Sequence, residues 1–383
     1  MTKNFDIIIC GAGSIGTTLS MFLSEKKYKV LVIEKKASVG QGQNKAAIGG
    51  IRATHSDASK IKTALKSIEI FSQWKDKTGD DIGWQKNGYL FPVYEEKDEI
   101  TLKELLKTQK KYGLNIDWIG PEKISSLVKG INTNNLKGGT YSPDDGSASP
   151  LLSINSFYRK SIEFGTKFIF NEKINEISKR NNDFEIKTDK DTYYSKYFIN
   201  SAGAHAKEIS LMLGIDIPVK PDSHEAGITE PVERFMEPMV VDIRPGEKSK
   251  NYYFYQNYER QIIFCMTPHP PIWGYDRRST SEFLPEIAKR ILNILPSLKD
   301  IRIRRVWRGL YPMTPDGFPI VDINAGGIEN YIIAAGMCGQ GFMLGPGLGW
   351  VLSEIICGNK SKEDETIINF KLKRDFSGQE KLK

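Results

Sequence analysis

Gly11, Gly13 and Gly16 stand in the spacing GxGxxG, between the apolar run Asp6–Cys10 and the helical stretch Thr17–Lys26. That order of parts is built to hold phosphates. Gly11 permits a tight turn, Gly13 lets the backbone approach a diphosphate, and Gly16 lets helix and strand pack closely. Unpaired amides at the helix start, Ala12, Ser14 and Ile15 among the residues around them, then face the anion along the helix dipole. A second buried strand, Tyr28–Ile33, ends on Glu34, eighteen positions beyond Gly16, where an acid accepts hydrogen bonds from an adenosine ribose. The five features in order establish a dinucleotide. They say nothing about which one.

Three further features favour FAD. The motif begins almost at residue 1 and no second GxGxxG follows. Phe198-Ile-Asn-Ser201-Ala202-Gly203 reads as a strand ending in a small-residue turn before a helix at Ala206–Leu213, bringing another strand end to the same crevice. Tyr331–Ala335 delivers Gly339-Gln340-Gly341-Phe342-Met343 to a helix expected over Trp350–Ile356. A helix start favours negative charge, and reduced flavin carries such charge at its pyrimidine end.

The remaining chemistry-bearing residues are scattered. Cys10, Cys265, Cys338 and Cys357 form no CxxC pair, and His55, His205, His224 and His269 show no metal spacing. Free thiols in a reducing compartment are the expectation, with no metal. Arg52, after the flexible Gly49-Gly50, offers a guanidinium fork for a carboxylate, or else a structural salt bridge. Tyr253 and Tyr255 alternate along one strand and so share a face, able to wall an amine or to pack a core. Tyr311, His55, His224 and Arg308 are further candidates.

At 383 residues the chain has room for two domains, and its hydrophobic and charged fractions of 39% and 26% are those of a globular protein. The net charge of +7 is spread among acids, which reads as solvated helix faces and argues against nucleic-acid binding. No apolar run approaches the roughly 20 residues of a membrane span, and Met1–Asp6 leads straight into a strand without a charged-then-apolar leader. A soluble, cytoplasmic protein is expected.

Nearly the whole chain resembles the D-amino-acid oxidase superfamily, in its glycine oxidase, sarcosine oxidase and dimethylglycine dehydrogenase branch. The resemblance rests on the N-terminal unit, Ala47–Arg52 with a helix Asp57–Trp74, Asn87–Phe91, Pro143–Gly146, Asn200–Gly203, Trp307–Leu310, Thr314–Gly317 and Gly339–Met343. It is closest to the flavin subunits of archaeal dye-linked L-proline dehydrogenases. It implies an α/β fold, in which a Rossmann-like FAD-binding domain is roofed by a second, mostly antiparallel sheet domain. The segments expected are 1–85, 145–215 and 305–383 for FAD, and 86–144 and 216–304 for substrate. The stretches Ile177–Tyr197 and Asn251–Thr267 alternate as meanders, in agreement with that roof.

By the same resemblance Lys35 joins Glu34 at the adenosine, and Ile174, on a strand Lys167–Ile177, meets adenine. Gln43, Asn44, Lys45, Ala46 and Ala47 pass beside the flavin, as do Gly309 and Leu310. Three departures bear on mechanism. Gly309 stands where some relatives tether flavin through cysteine, so non-covalent FAD is expected. Met343 and Tyr311 replace the carboxylate-binding lysine of monomeric sarcosine oxidases and arginine of glycine oxidases. Cys265 replaces a lysine that promotes reaction with oxygen, which tilts the expectation toward a dehydrogenase serving an electron carrier or partner subunit. The implied reaction is oxidation of an amino acid's C–N bond, with proline, sarcosine, dimethylglycine, glycine or a D-amino acid as substrates. A 2-hydroxy-acid dehydrogenase, or a flavin-binding scaffold of the same fold, is the alternative.

Overall fold

The computed structural model describes residues 3–382, so the expectation for Met1 and Thr2 lies outside the described residues. Two eight-stranded sheets carry the fold. The first runs β17 (Ile320–Ile323), β18 (Tyr331–Ala335), β11 (Thr192–Asn200), β1 (Asn4–Cys10), β2 (Val30–Glu34), β8 (Lys167–Phe170), with β10 (Asp183–Thr188) and β9 (Ile174–Arg180) folded back from β11. β1 lies parallel between β11 and β2, and β11 lies parallel to β18. Every residue of β2 and β18 is buried, as a sheet covered on both faces requires.

The second sheet runs β16 (Ile303–Met313), β12 (Lys220–Pro231), β15 (Gln261–Pro268), β14 (Ser249–Gln256), β13 (Met239–Asp242), β4 (Tyr89–Val93), β6 (Gly138–Ser142), β5 (Asp117–Ile119). Its pairings are antiparallel except for β13 with β4. A two-stranded ribbon, β3 (Gly50–Ile51) with β7 (Gly146–Ser147), sits between.

Three details differ from expectation. The 174–200 meander belongs to the first sheet rather than the roof, because β11 continues from it into the pairing with β1. β16 is the edge of the roof sheet, although residues from 305 onward were assigned to the FAD segments. The last long helix begins at Gly341, nine residues early, and contains Pro346. Tertiary packing explains this: Cβ atoms on Gly345, Gly347 and Gly349 would lie 2.8 Å from Ser14 Cβ, 2.1 Å from the Thr63 carbonyl and 2.6 Å from Thr18 Oγ1. The helix abuts the helices Ser14–Glu25 and Ala58–Thr78, and that contact outweighs the poor helix propensity of glycine.

The lysine-rich tail folds back onto this framework. Arg374 binds Asp316 through two nitrogens, at 2.7 and 3.0 Å. Glu380 lies 3.1 Å from Lys60, both side chains fully buried. Burial works to raise the Glu380 carboxyl, but Lys60, His55 and the Ser56 hydroxyl outweigh it and hold it well below the ordinary value of 4.5. A depressed acid contributes stability that is present above its unfolded value and lost as pH falls. Glu380→Gln, which strands a buried lysine, is expected to cost about 3–5 kcal/mol in urea unfolding at pH 7. The difference from wild type should shrink steadily below pH 4.5; an equal difference at pH 3 and pH 7 would contradict the assignment.

Candidate functional site: a dinucleotide cavity under a tyrosine roof

A cavity of about 460 Å³ lies at the carboxyl ends of β1, β2, β11 and β18, the place where open parallel sheets bind ligands. Gly11, at φ 103°, leaves β1 in a conformation that suits glycine. Its own Cβ would meet the Ser201 carbonyl at 2.8 Å, and a Cβ on Gly16 would meet the Gly11 carbonyl at 2.0 Å. A Cβ on Gly13 meets nothing within 4 Å, so its face is open to the cavity. The first helical bond runs from Thr17 N to Gly13 O, and Ser14 and Ile15, which precede it, line the cavity.

Glu34 is buried and accepts from Ala12 N at 2.9 Å and Lys36 N at 2.8 Å, which aims its carboxylate at the cavity wall beside Lys35, Lys173 and Ile174. Burial lowers the Lys35 pKa, and Glu208 partly restores it. Open glycine, free helix start, acid and cations together fit an adenine dinucleotide.

At the far end, Gln43 accepts from Leu310 N at 2.7 Å, and Trp307 Nε1 donates to Ala46 O at 2.9 Å, clipping the 43–47 segment to β16. Gly309, Leu310, Gly339, Gln340, Gly341, Phe342 and Met343 line this end with Ala46 and Ala47. Gly339 exists because Tyr311 does: a Cβ there would lie 2.1 Å from the tyrosine ring.

Above them stands the roof. The Tyr253 and Tyr311 hydroxyls lie 2.5 Å apart, with Cys265 Sγ 3.9 Å from Tyr311 Oη. The His224 imidazole stacks on the Tyr311 ring, 3.7 Å between centroids and 17° between planes. Its Nε2 is 3.0 Å from Asp222. Burial, reinforced by Cys265, pushes both phenols well above their ordinary value of 10, so they stay neutral. Tyr89, Val241, Asn251 and Thr267 complete the roof lining. Among the described residues this lining contains no Asp, Glu or Lys.

Most expected residues therefore meet in one cavity, and the exceptions have reasons. Ala12 and Gly16 pack behind the turn rather than lining it, and Lys45 points outward to Gln41. Tyr255 shares the face of Tyr253, but its hydroxyl donates to Ile48 O at 2.5 Å within the core, which corrects its placement at the substrate. Arg52 lines the cavity, yet Nη1 and Nη2 donate to the carbonyls of Thr54 and Leu382, so its fork is not free to grip a carboxylate.

Asp145 anchors the segment after β3, accepting from Ala53 N and the Thr54 hydroxyl at 2.8 and 2.7 Å. His55 is fully buried away from the cavity, its pKa lowered by burial and by Arg52. Arg308 is buried and donates to Arg278 O without lining the site. Sequence reasoning missed Tyr89, Asn251, Thr267, Tyr275 and Arg277, and passed over His205 as a ligand contact. Only the alternation of β14, which puts Asn251 in step with Tyr253, carried a signal for any of them.

The family model of FAD-dependent oxidoreductases (DAO) matches residues 6–355, and the chain belongs to that family. Mouse mitochondrial dimethylglycine dehydrogenase is 23% identical over 373 residues, covering 92% of this chain and 42% of its own length. The chain thus spans less than half the length of the mammalian dimethylglycine dehydrogenases it matches. Glycine oxidase of Geobacillus kaustophilus is 22% identical over 365 residues, covering 93% of this chain and 94% of the relative. Among solved structures, L-proline dehydrogenase from P. horikoshii superposes with a TM-score of 0.88 at 29% identity, over 96% of this chain and 99% of that one. No helix among the described residues is long and apolar enough to cross a membrane.

The Gly16 contact gives a direct test of the cofactor seat. Gly16→Ala forces a methyl against backbone oxygen at 2.0 Å and is expected to yield protein that retains little or no FAD. Gly120→Ala, where a Cβ meets nothing within 4 Å, should stay yellow. Equal flavin content by absorbance in both variants would contradict the geometry.

Proposed function

We propose that the enzyme oxidises the C–N bond of an amino acid, with secondary or N-methylated amino acids such as proline, sarcosine or dimethylglycine as the favoured class. FAD, held without a covalent link by the Gly11–Ser14 turn, Glu34 and the Gly339–Met343 turn, would supply a two-electron acceptor for hydride from the carbon beside nitrogen. The chain's own part is to bind, orient and keep water away. The observation that carries the reading is a roof lined without carboxylate or lysine: two neutral phenols 2.5 Å apart, facing the Gly309–Leu310 and Gly339–Met343 end.

An amine gives up hydride only after losing its extra proton, and a roof without carboxylate or lysine favours the free base. The tyrosine pair uses one O–H between its members and keeps one to donate to the ligand, with oxygen lone pairs left to accept from N–H. Burial keeps that donor protonated. The names of the relatives, dimethylglycine dehydrogenase, glycine oxidase and L-proline dehydrogenase, support the substrate class. Cys265, where an oxygen-promoting lysine is absent, supports a dehydrogenase. The likeness to a sarcosine oxidase subunit beta from Arthrobacter sp, 22% identical over 368 residues, supports a partner subunit or electron-acceptor protein.

Anaerobic mixing with a panel of amino, N-methylamino and 2-hydroxy acids tests this. Secondary amino acids are expected to bleach the flavin, and Tyr311→Phe to lower the apparent second-order rate constant about tenfold or more, the worth of one lost hydrogen bond to a charged ligand. Bleaching by 2-hydroxy acids alone, or an unaffected Tyr311→Phe, would overturn the reading. Slow reoxidation on admitting oxygen is the dehydrogenase outcome.

A further inference from the structure

The segment 272–280, which follows β15, is clipped to the roof at Ile272, Gly274, Asp276 and Thr280. Ile272 N donates to Asp222 at 2.7 Å, Ser223 N to Ile272 O at 2.9 Å, and Gly274 N to Pro221 O at 2.9 Å. The Ser223 hydroxyl donates to Asp276 O at 2.7 Å, and Thr280 N to Glu225 at 2.7 Å. From this fixed base one side chain reaches across to the other sheet system. Tyr275 stacks on His205 with 5.0 Å between centroids and 10° between planes. Its hydroxyl donates toward Ala204 O at 3.3 Å and Glu208 at 3.0 Å. Ala204 directly follows the Ser201–Gly203 turn, which packs against Gly11.

Two residues on, Arg277 lines the cavity and is half-buried. Its one hydrogen bond is long, Nε to Arg308 O at 3.4 Å. Among the described residues it forms no ion pair, whereas its neighbour Arg278 is bound to Asp276 through two nitrogens at 3.0 and 2.8 Å and is exposed. A half-buried guanidinium facing a cavity, with no acid of its own, calls for an anion that arrives with the ligand. The strongest anion on FAD is its diphosphate, and the planar fork of arginine matches phosphate oxygens.

The phosphate-binding turn packs at Gly11 on Ser201 and Ala202, and Tyr275 docks just beyond, on Ala204 and His205, so the middle of the 272–280 segment crosses close to that stretch of the cavity. We infer that Arg277 is a cofactor-binding residue supplied by the roof, closing over the FAD diphosphate, with Tyr275 holding its segment down. The dinucleotide site is then completed across the two sheet systems, and release of FAD requires the Tyr275 contact to open.

Titration of the apoprotein with FAD, followed by flavin fluorescence, tests this without reference to any substrate. Arg277→Ala is expected to raise the FAD dissociation constant roughly ten- to a hundredfold, and to flatten its dependence on salt. Arg277→Lys should fall in between, since it keeps charge and loses the fork. Tyr275→Ala should speed FAD release, and Arg278→Ala, an exposed control, should change binding less than about twofold. Should Arg277→Ala fail to fold by circular dichroism, Arg277→Gln gives the same reading with the stem retained. Unchanged FAD affinity in the folded Arg277 variants overturns the inference. So does equal weakening by Arg277→Ala and Arg278→Ala, which would mark a general field. A loss of amino-acid affinity with FAD affinity intact would assign Arg277 to the substrate instead.

Discussion

The site depends on how closely three pieces of backbone approach one another at Gly11, Gly16 and Ser201. With a Gly16 Cβ position 2.0 Å from the Gly11 carbonyl and a Gly11 Cβ position 2.8 Å from the Ser201 carbonyl, no other residue type fits without moving the main chain. That approach turns the start of the helix Ser14–Glu25 into the cavity wall, and it brings the end of β11 beside the end of β1. The same device recurs at Gly345 and Gly349, which seat the second glycine-rich helix against the first, and at Gly347, which seats it against the helix Ala58–Thr78. Two helix starts therefore open into one cavity, and both ends of a long dinucleotide find a partner there.

Against this polar floor the roof is deliberately plain. Asp222 and His224 sit behind Tyr311 and are hydrogen-bonded to each other, with a flat imidazole against the phenol ring. The substrate side thus has shape and hydroxyls but no free charge near the flavin end. The Arg52 guanidinium is answered by the Thr54 and Leu382 carbonyls. The tail that supplies Leu382 also buries Glu380 against Lys60, so the folded C-terminal segment forms part of the wall behind the site.

Local chemistry was legible in the sequence wherever a turn required it. Gly11, Gly13, Glu34 and the Ser201–Gly203 junction were placed from spacing alone, because strand, turn and helix follow within a few residues. The α/β framework with its roof was implied by the family resemblance. What depended on distant partners was not legible. Alternation put Tyr253 and Tyr255 on one face, which is right, but could not show that Ile48 would capture the Tyr255 hydroxyl from 207 positions away. Arg52 read as an anchor because its carbonyl partner at Leu382 lies 330 positions off. Arg277 sits in a loop with no period to read. The Gly341–Ile356 helix was shortened in expectation because glycine and proline signal a turn, and only packing against two other helices reverses that.

In the proposed arrangement flavin lies beneath the Tyr253–Tyr311 pair, with its diphosphate at the Gly11–Ser14 turn. A crystal structure of the FAD-loaded protein with a bound secondary amino acid analogue tests it most directly. The ring is expected between Gly309–Leu310 and Gly339–Met343, unattached to protein, with the analogue within hydrogen-bond reach of a roof hydroxyl. A flavin ring lodged at the Glu34–Ile174 end, or an analogue bound away from both tyrosines, would contradict it.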